Sequence, residues 1–185
     1  MKSKIILGVV LISILMGLFA LYISPAVATH ASKEYKYMIG TDFLNGPVIA
    51  KAANGDTIEV VGDGTFDVFS DTVTGSGTIV HKDKDGNILA TGTWNATSLL
   101  FFRSYGNATP QELPEDFEGG RLFIKVHLVP DFGGDGFDGV MQVECMLGKV
   151  PRGAEEGIRL NIKLGPAKQF NFFEKVSGET LFIRQ

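Results

Sequence analysis

The chain predicts an all-β fold, an antiparallel up-and-down barrel of about eight strands behind an apolar N-terminal leader helix, with a β-sandwich as the alternative. Three observations lead there. Apolar and polar residues alternate over short runs, most cleanly in Arg121–Val129, where Leu122, Ile124, Val126 and Leu128 share one face, as in a half-buried strand. Turn residues separate the runs; Asp85-Gly86-Asn87 is the sharpest, because Gly and Asn tolerate the positive φ of tight hairpin connections. No amphipathic helix follows the leader, and most connections are shorter than the dozen or so residues that parallel crossovers need. Closing a long meander on itself removes the exposed edges that invite association. No Cys…Trp…Cys spacing supports an immunoglobulin sandwich.

In chain order, Met1-Lys2-Ser3-Lys4 is a basic start, and Ile5–Ile23 then runs 19 residues without a charge. Ser24-Pro25-Ala26-Val27-Ala28 ends the apolar run with small residues, so residues 1–28 read as a secretory signal peptide cleaved after Ala28. The alternative is an uncleaved anchor formed by residues 5–23, since that run is close to a membrane span in length. The protein is therefore expected to be secreted or extracytoplasmic, touching a membrane only through this segment if it is kept. Residues 29–45 read as a lead-in carrying one candidate strand, Glu34–Ile39, and residues 46–185 as the barrel domain.

Within that domain, Pro47–Ala52 and Thr57–Val61 are early strands joined at Asn54-Gly55-Asp56, and Gly62-Asp63-Gly64 reads as a further turn. A meander of four extended segments follows: Thr65–Phe69, Gly77–Lys82, Asn87–Trp94 and Ser98–Tyr105. Thr, Val, Ile, Phe and Trp dominate them and suit a pleated surface. Residues 107–120 read as a surface connection with one helical turn near Pro114–Phe117. Arg121–Val129, Val140–Leu147 and Ile158–Leu164 are the next strands, and Gln169–Val176 with Thr180–Arg184 reads as a closing hairpin across Ser177-Gly178.

The composition is that of a globular protein, 44% hydrophobic and 21% charged. The formal charge is −4, or −6 once Lys2 and Lys4 of the leader are set aside, and no Lys/Arg cluster is present, which argues against nucleic acid as a partner. Cys145 is the only cysteine, so no intramolecular disulfide forms; its run with Met141, Val143 and Leu147 reads as a buried hydrophobic face. Oligomeric state is not written in the sequence.

Groups that carry chemistry are few. His81, His127 and Glu144 are the candidates for acid/base work, each on a strand, and the phase of Glu144 leaves open whether it enters a lumen or solvent. His30 falls in the cleavage region. No phosphate loop, nucleophile elbow, HExxH or paired-cysteine pattern occurs, and no cofactor is expected. Asp131, Asp135 and Asp138, in a DFGGDGFDG loop, fit one copy of a calcium repeat that acts through stacked copies, so a hairpin loop is the favoured reading and a calcium site the alternative. His81–Asn87 resembles the start of an EF-hand loop, but its Gly comes too early and Gly92 stands where the bidentate Glu belongs; it reads as a turn. Trp94, Phe101, Phe102 and Phe172 are the candidate ligand-contacting aromatics, with Phe101-Phe102 and Phe172-Phe173 each placing one ring on either face of a strand. Asn95 and Asn107 begin N-glycosylation sequons, the second weakened by Pro110.

Gly64-Thr65-Phe66, Gly75-Ser76-Gly77-Thr78 and Ala90-Thr91-Gly92-Thr93-Trp94 resemble the glycine-punctuated strands of the allene oxide cyclase and dirigent barrel superfamily, over roughly residues 45–185. The resemblance implies an eight-stranded barrel whose apolar pocket positions a small molecule without a metal or redox cofactor. It lies in turn grammar, and no functional residue is carried over. Three functions follow, in order of preference: an exported barrel binding a small apolar or amphipathic ligand, a cell-surface structural or interaction module, and a cofactor-free isomerase or cyclase.

Overall fold

A computed structural model of the chain describes residues 33–165 and 169–185. The signal peptide, the cleavage point after Ala28, the anchor at residues 5–23 and His30 all lie outside the described residues. Among those described, no helix is long and apolar enough to cross a membrane. Ten strands follow in order: β1 (Glu34–Ile39), β2 (Val48–Ala52), β3 (Thr57–Asp67), β4 (Thr72–Lys82), β5 (Ile88–Asn107), β6 (Phe117–Pro130), β7 (Phe137–Cys145), β8 (Gly157–Lys163), β9 (Gln169–Ser177) and β10 (Thr180–Arg184).

From β2 to β9 each strand pairs antiparallel with the next, and β9 returns to β2, closing an up-and-down barrel of eight strands. The other two strands make a second closure. β3 leaves β2 after Val60 and from Gly62 onward pairs with β1, which pairs with β10, which reaches Phe117 and Glu118 of β6. One end of the barrel is thus walled by eight strands and the other by six, with β3 to β6 common to both.

The candidate strand Glu34–Ile39 forms with those bounds as β1, and its Tyr35, Tyr37 and Ile39 are core residues. Four local readings change, the fourth at Gly62-Asp63-Gly64. β9 and β10 do not form a hairpin: they follow one another in sequence but pair with different strands. The last two segments of the meander are one 20-residue strand, β5, which bends through bulges between Ala96 and Ser98, Leu99 and Phe101, and Ser104 and Gly106. The helical turn of the β5–β6 connection forms at Thr109–Gln111, ahead of Pro114.

The glycines of Gly62-Asp63-Gly64 and Gly75-Ser76-Gly77 sit within β3 and β4, not at turns, with Gly62 opposite Gly77 and Gly64 opposite Gly75. Two large rings require them. A Cβ on Gly62 would lie 2.5 Å from the Trp94 ring, and one on Gly75 would overlap the Tyr37 hydroxyl. The absent side chains make space for the two rings inside the barrel.

The narrow end is packed solid. Tyr35 stacks on Phe66 at 5.0 Å between centroids, and Phe102 meets Phe66 at 4.7 Å and Phe182 at 5.3 Å. Such pairs add about 0.5–1.5 kcal/mol each beyond the area they bury. Below them lie Trp94, Leu122, Ile124, Val126, Met141, Val143, Ile158 and Leu160, all buried.

Candidate functional site

Toward the wide end the inward-facing positions stop being filled. Along β8, Ile158 and Leu160 are buried, Ile162 is half-buried, and Leu164 just beyond the strand is exposed. The space left open is a cavity of about 420 Å³ walled by Ile58, Ile79, Leu128, Ile162, Phe170 and Phe172. Asp56 of the β2–β3 turn and Phe132 of the β6–β7 loop are among its lining residues. Phe132 is 73% exposed and Leu89 54%, and both border the opening.

Among the described lining residues only Asp56 and His81 are ionisable. His81 points inward from β4, and Asp56 stands in the β2–β3 turn, where Asn54 Oδ1 accepts its backbone N–H at 3.2 Å. The two side chains meet at 3.1 Å, His81 Nε2 to Asp56 Oδ2. An ionised carboxylate only accepts, so Nε2 carries the proton, and in the neutral ring Nδ1 is a bare acceptor. Phe170 and Phe172 contact the imidazole at centroid distances of 5.7 and 5.5 Å. The ring is therefore fixed by one hydrogen bond and two aromatic contacts.

The DFGGDGFDG loop joins β6 to β7 and forms one rim of the mouth. Its start is pinned to β5: the Asp131 N–H donates to Thr91 O at 2.9 Å, and the Thr91 hydroxyl donates to Asp131 Oδ2 at 2.5 Å. Gly133, Gly134 and Gly136 all have positive φ, which turns the chain back and sets Phe132 and Phe137 against the cavity. The three aspartates do not converge: Asp131 is engaged by Thr91, Asp138 pairs with His127 Nδ1 at 2.9 Å, and Asp135 is exposed. No cluster of metal-ligating side chains occurs among the described residues. Millimolar calcium is expected to leave the melting temperature unchanged; a rise that disappears in Asp135→Ala would make this loop a metal site instead.

The other candidates lie apart from the cavity. His127 is on the outer face of β6, with Asp138. Glu144 projects from β7 in the phase opposite to Met141, Val143 and Cys145, so it is outside the barrel interior, yet it is 1% exposed. Side chains from three other strands cover it. Its Oε1 accepts from Tyr105 at 2.5 Å and Arg121 at 2.7 Å, and its Oε2 from Lys175 at 2.7 Å and Gln142 at 3.0 Å. Burial alone would push this carboxyl up; the hydrogen bonds from Lys175, Tyr105 and Arg121, with the Lys175 charge, outweigh it and hold it at about 2. Burial, and then Glu144 beside it, pushes the Tyr105 phenol up to about 12. This is a closed, satisfied network that ties β5, β6, β7 and β9 together, and it leaves no open position for a substrate. Burial likewise pushes the Cys145 thiol up to about 12, consistent with its place in the core.

Of the four ligand-contacting candidates, Phe172 lines the cavity. Trp94 is buried above it, its indole N–H donating to Val61 O at 3.1 Å. Phe102 belongs to the narrow-end aromatic cluster, and Phe101 faces out, as does Phe173. Asn95 is exposed in mid-strand, whereas Asn107 is half-buried and its Oδ1 accepts from Thr109 Oγ1 at 2.7 Å. Sequence reasoning missed Asp56, Phe132 and Phe137 as cavity residues. The two phenylalanines carried a signal, since aromatic residues among loop glycines have no turn-forming role. Asp56 carried none, because an aspartate after Asn-Gly reads as turn chemistry.

The chain matches no protein-family model, no curated protein and no solved structure.

Proposed function

We propose that the protein is an exported barrel that takes a small apolar or amphipathic molecule into the cavity at its eight-stranded end. The observation that carries this reading is the cavity itself: about 420 Å³, walled by aliphatic and aromatic side chains, at one end of a barrel whose core holds a continuous cluster of buried side chains. At ~30 Å³ per water-sized group the space suits about fourteen non-hydrogen atoms. At roughly 0.3–0.5 kcal/mol per atom, such a ligand binds with a Kd between about a millimolar and ten micromolar. The leader pattern supports export, and the turn-grammar resemblance to allene oxide cyclase and dirigent barrels supports an apolar pocket.

Naphthalene, whose own fluorescence reports its surroundings, is a suitable probe. It is expected to bind the native protein and to lose at least tenfold in affinity in Ile162→Trp, whose indole fills the cavity from a half-buried position. A second reading, an interaction module, is favoured by the exposed Phe101 and Phe173 on the outer wall. Phe101→Ser is the matching control and is expected to leave naphthalene binding intact. If Ile162→Trp stays folded by circular dichroism and binds as tightly as the native protein, the cavity is not the binding site.

A further inference from the structure

Resting on that reading, we infer that the His81–Asp56 pair makes the cavity selective for a neutral molecule bearing one hydroxyl group, recognised by donation of that hydroxyl to His81 Nδ1. Nδ1 has no hydrogen-bond partner among the described residues, while Nε2 is occupied by Asp56. The ring lines the cavity and its side chain is 29% exposed, which leaves room for a ligand beside it. An acceptor held in place in an otherwise apolar wall favours the ligand that donates to it.

Charge decides between the donors. The Asp56 carboxylate stands 3.1 Å behind the ring, and Asp131 sits at the rim. Lys84, in the neighbouring β4–β5 turn, has its ammonium on Asp85 at 2.8 Å. Among the described lining residues no side chain is cationic apart from what His81 itself carries when protonated. A ligand carboxylate would approach Asp56 with no fixed positive charge among the described lining residues to receive it, whereas a neutral hydroxyl meets no repulsion. Asp56 is then a positioning residue: by accepting from Nε2–H it selects the tautomer that leaves Nδ1 free to accept.

The test uses three probes of similar shape: naphthylmethanol, ethylnaphthalene and naphthoate. The native protein is expected to bind naphthylmethanol about three- to tenfold more tightly than ethylnaphthalene, the worth of one net hydrogen bond, and naphthoate more weakly than either. His81→Phe keeps an aromatic ring against Phe170 and Phe172 but removes the acceptor. It is expected to invert the order of the first two probes, because the hydroxyl is then buried without a partner. In Asp56→Asn the amide can donate to Nε2 and move the proton to Nδ1, so a fourth probe, methoxymethylnaphthalene, which can only accept, should gain at least threefold in affinity while ethylnaphthalene affinity holds. A purely structural Asp56 would weaken both probes together.

Equal binding of the alcohol and the hydrocarbon by the native protein overturns the proposal and leaves the apolar cavity standing. Tightest binding of naphthoate also overturns it and makes His81 an anion receptor. If none of the three probes binds, the cavity reading itself fails and this one with it.

Discussion

Replacing Glu144 with alanine is expected to cost the fold about 3–5 kcal/mol, the penalty of leaving a buried charge without its counter-ion. The Lys175 side chain is only 4% exposed, and its ammonium lies 2.7 Å from Glu144 Oε2. Burial pushes that ammonium's pKa down, and Glu144 is what pushes it back up. Without the carboxylate, Tyr105 and the Arg121 guanidinium also lose the acceptor they share. At about 2–4 °C per kcal/mol for a chain of this size, the melting temperature should fall by roughly 10 °C, measured by circular dichroism. A fall of less than about 3 °C would mean that water replaces the carboxylate and the network contributes little.

The same group sets the acid limb of the stability curve. Its pKa drops from 4.5 to about 2 on folding, so its contribution is complete above about pH 4.5 and is lost as pH falls toward 2. That drop corresponds to about 3 kcal/mol. Glu156 works in the opposite sense, because burial raises its carboxyl, so protonating it as pH falls relieves a cost. In Glu144→Gln the net loss of stability between about pH 4.5 and 2 should shrink, and urea titrations across that window measure it.

Trp94→Ala is expected to be as damaging, about 3–5 kcal/mol, through a void that cannot collapse. The indole is fully buried, and the backbone around Gly62 and Gly77 approaches it as closely as glycine permits. β3 is paired to β4 and β4 to β5, so these strands cannot move in to fill the space. The Val61 carbonyl also loses its indole donor. Urea unfolding followed by far-ultraviolet circular dichroism gives the loss directly; under about 1 kcal/mol, the account of the glycine seat would be wrong.

Those glycines mark where sequence reasoning stopped. The all-β class, the eight-stranded closure and the inward face of β6 were legible because alternation and short turns are local signals. The faces of Phe101-Phe102 and Phe172-Phe173 were legible for the same reason. Gly62 and Gly64 read as turn residues, because what requires glycine at these crowded positions comes from other strands, as Trp94 does at Gly62. β5 read as two strands because its bulges break the period-two pattern, and β10 was assigned to β9 because adjacency in sequence is a good default. In the candidate site, His81 was visible as a strand residue of uncertain face. Its partner Asp56 lies 25 residues away, and only the register of β3 on β4 brings the two together. Glu144 was ambiguous for a different reason: its face points outward, and long side chains from neighbouring strands bury it there.

The first and last strands clasp one another. β1 pairs with β10 along its length, and the Gln185 N–H donates to Glu34 O at 2.9 Å, so the described chain begins and ends side by side at the six-stranded end. The cavity opens at the other end, more than 30 Å of strand away at about 3.3 Å per residue of the 11-residue β3. A bead or fusion partner attached after Gln185 is therefore attached at the six-stranded end. On the binding reading, an immobilised barrel held in this way keeps its cavity mouth turned away from the support.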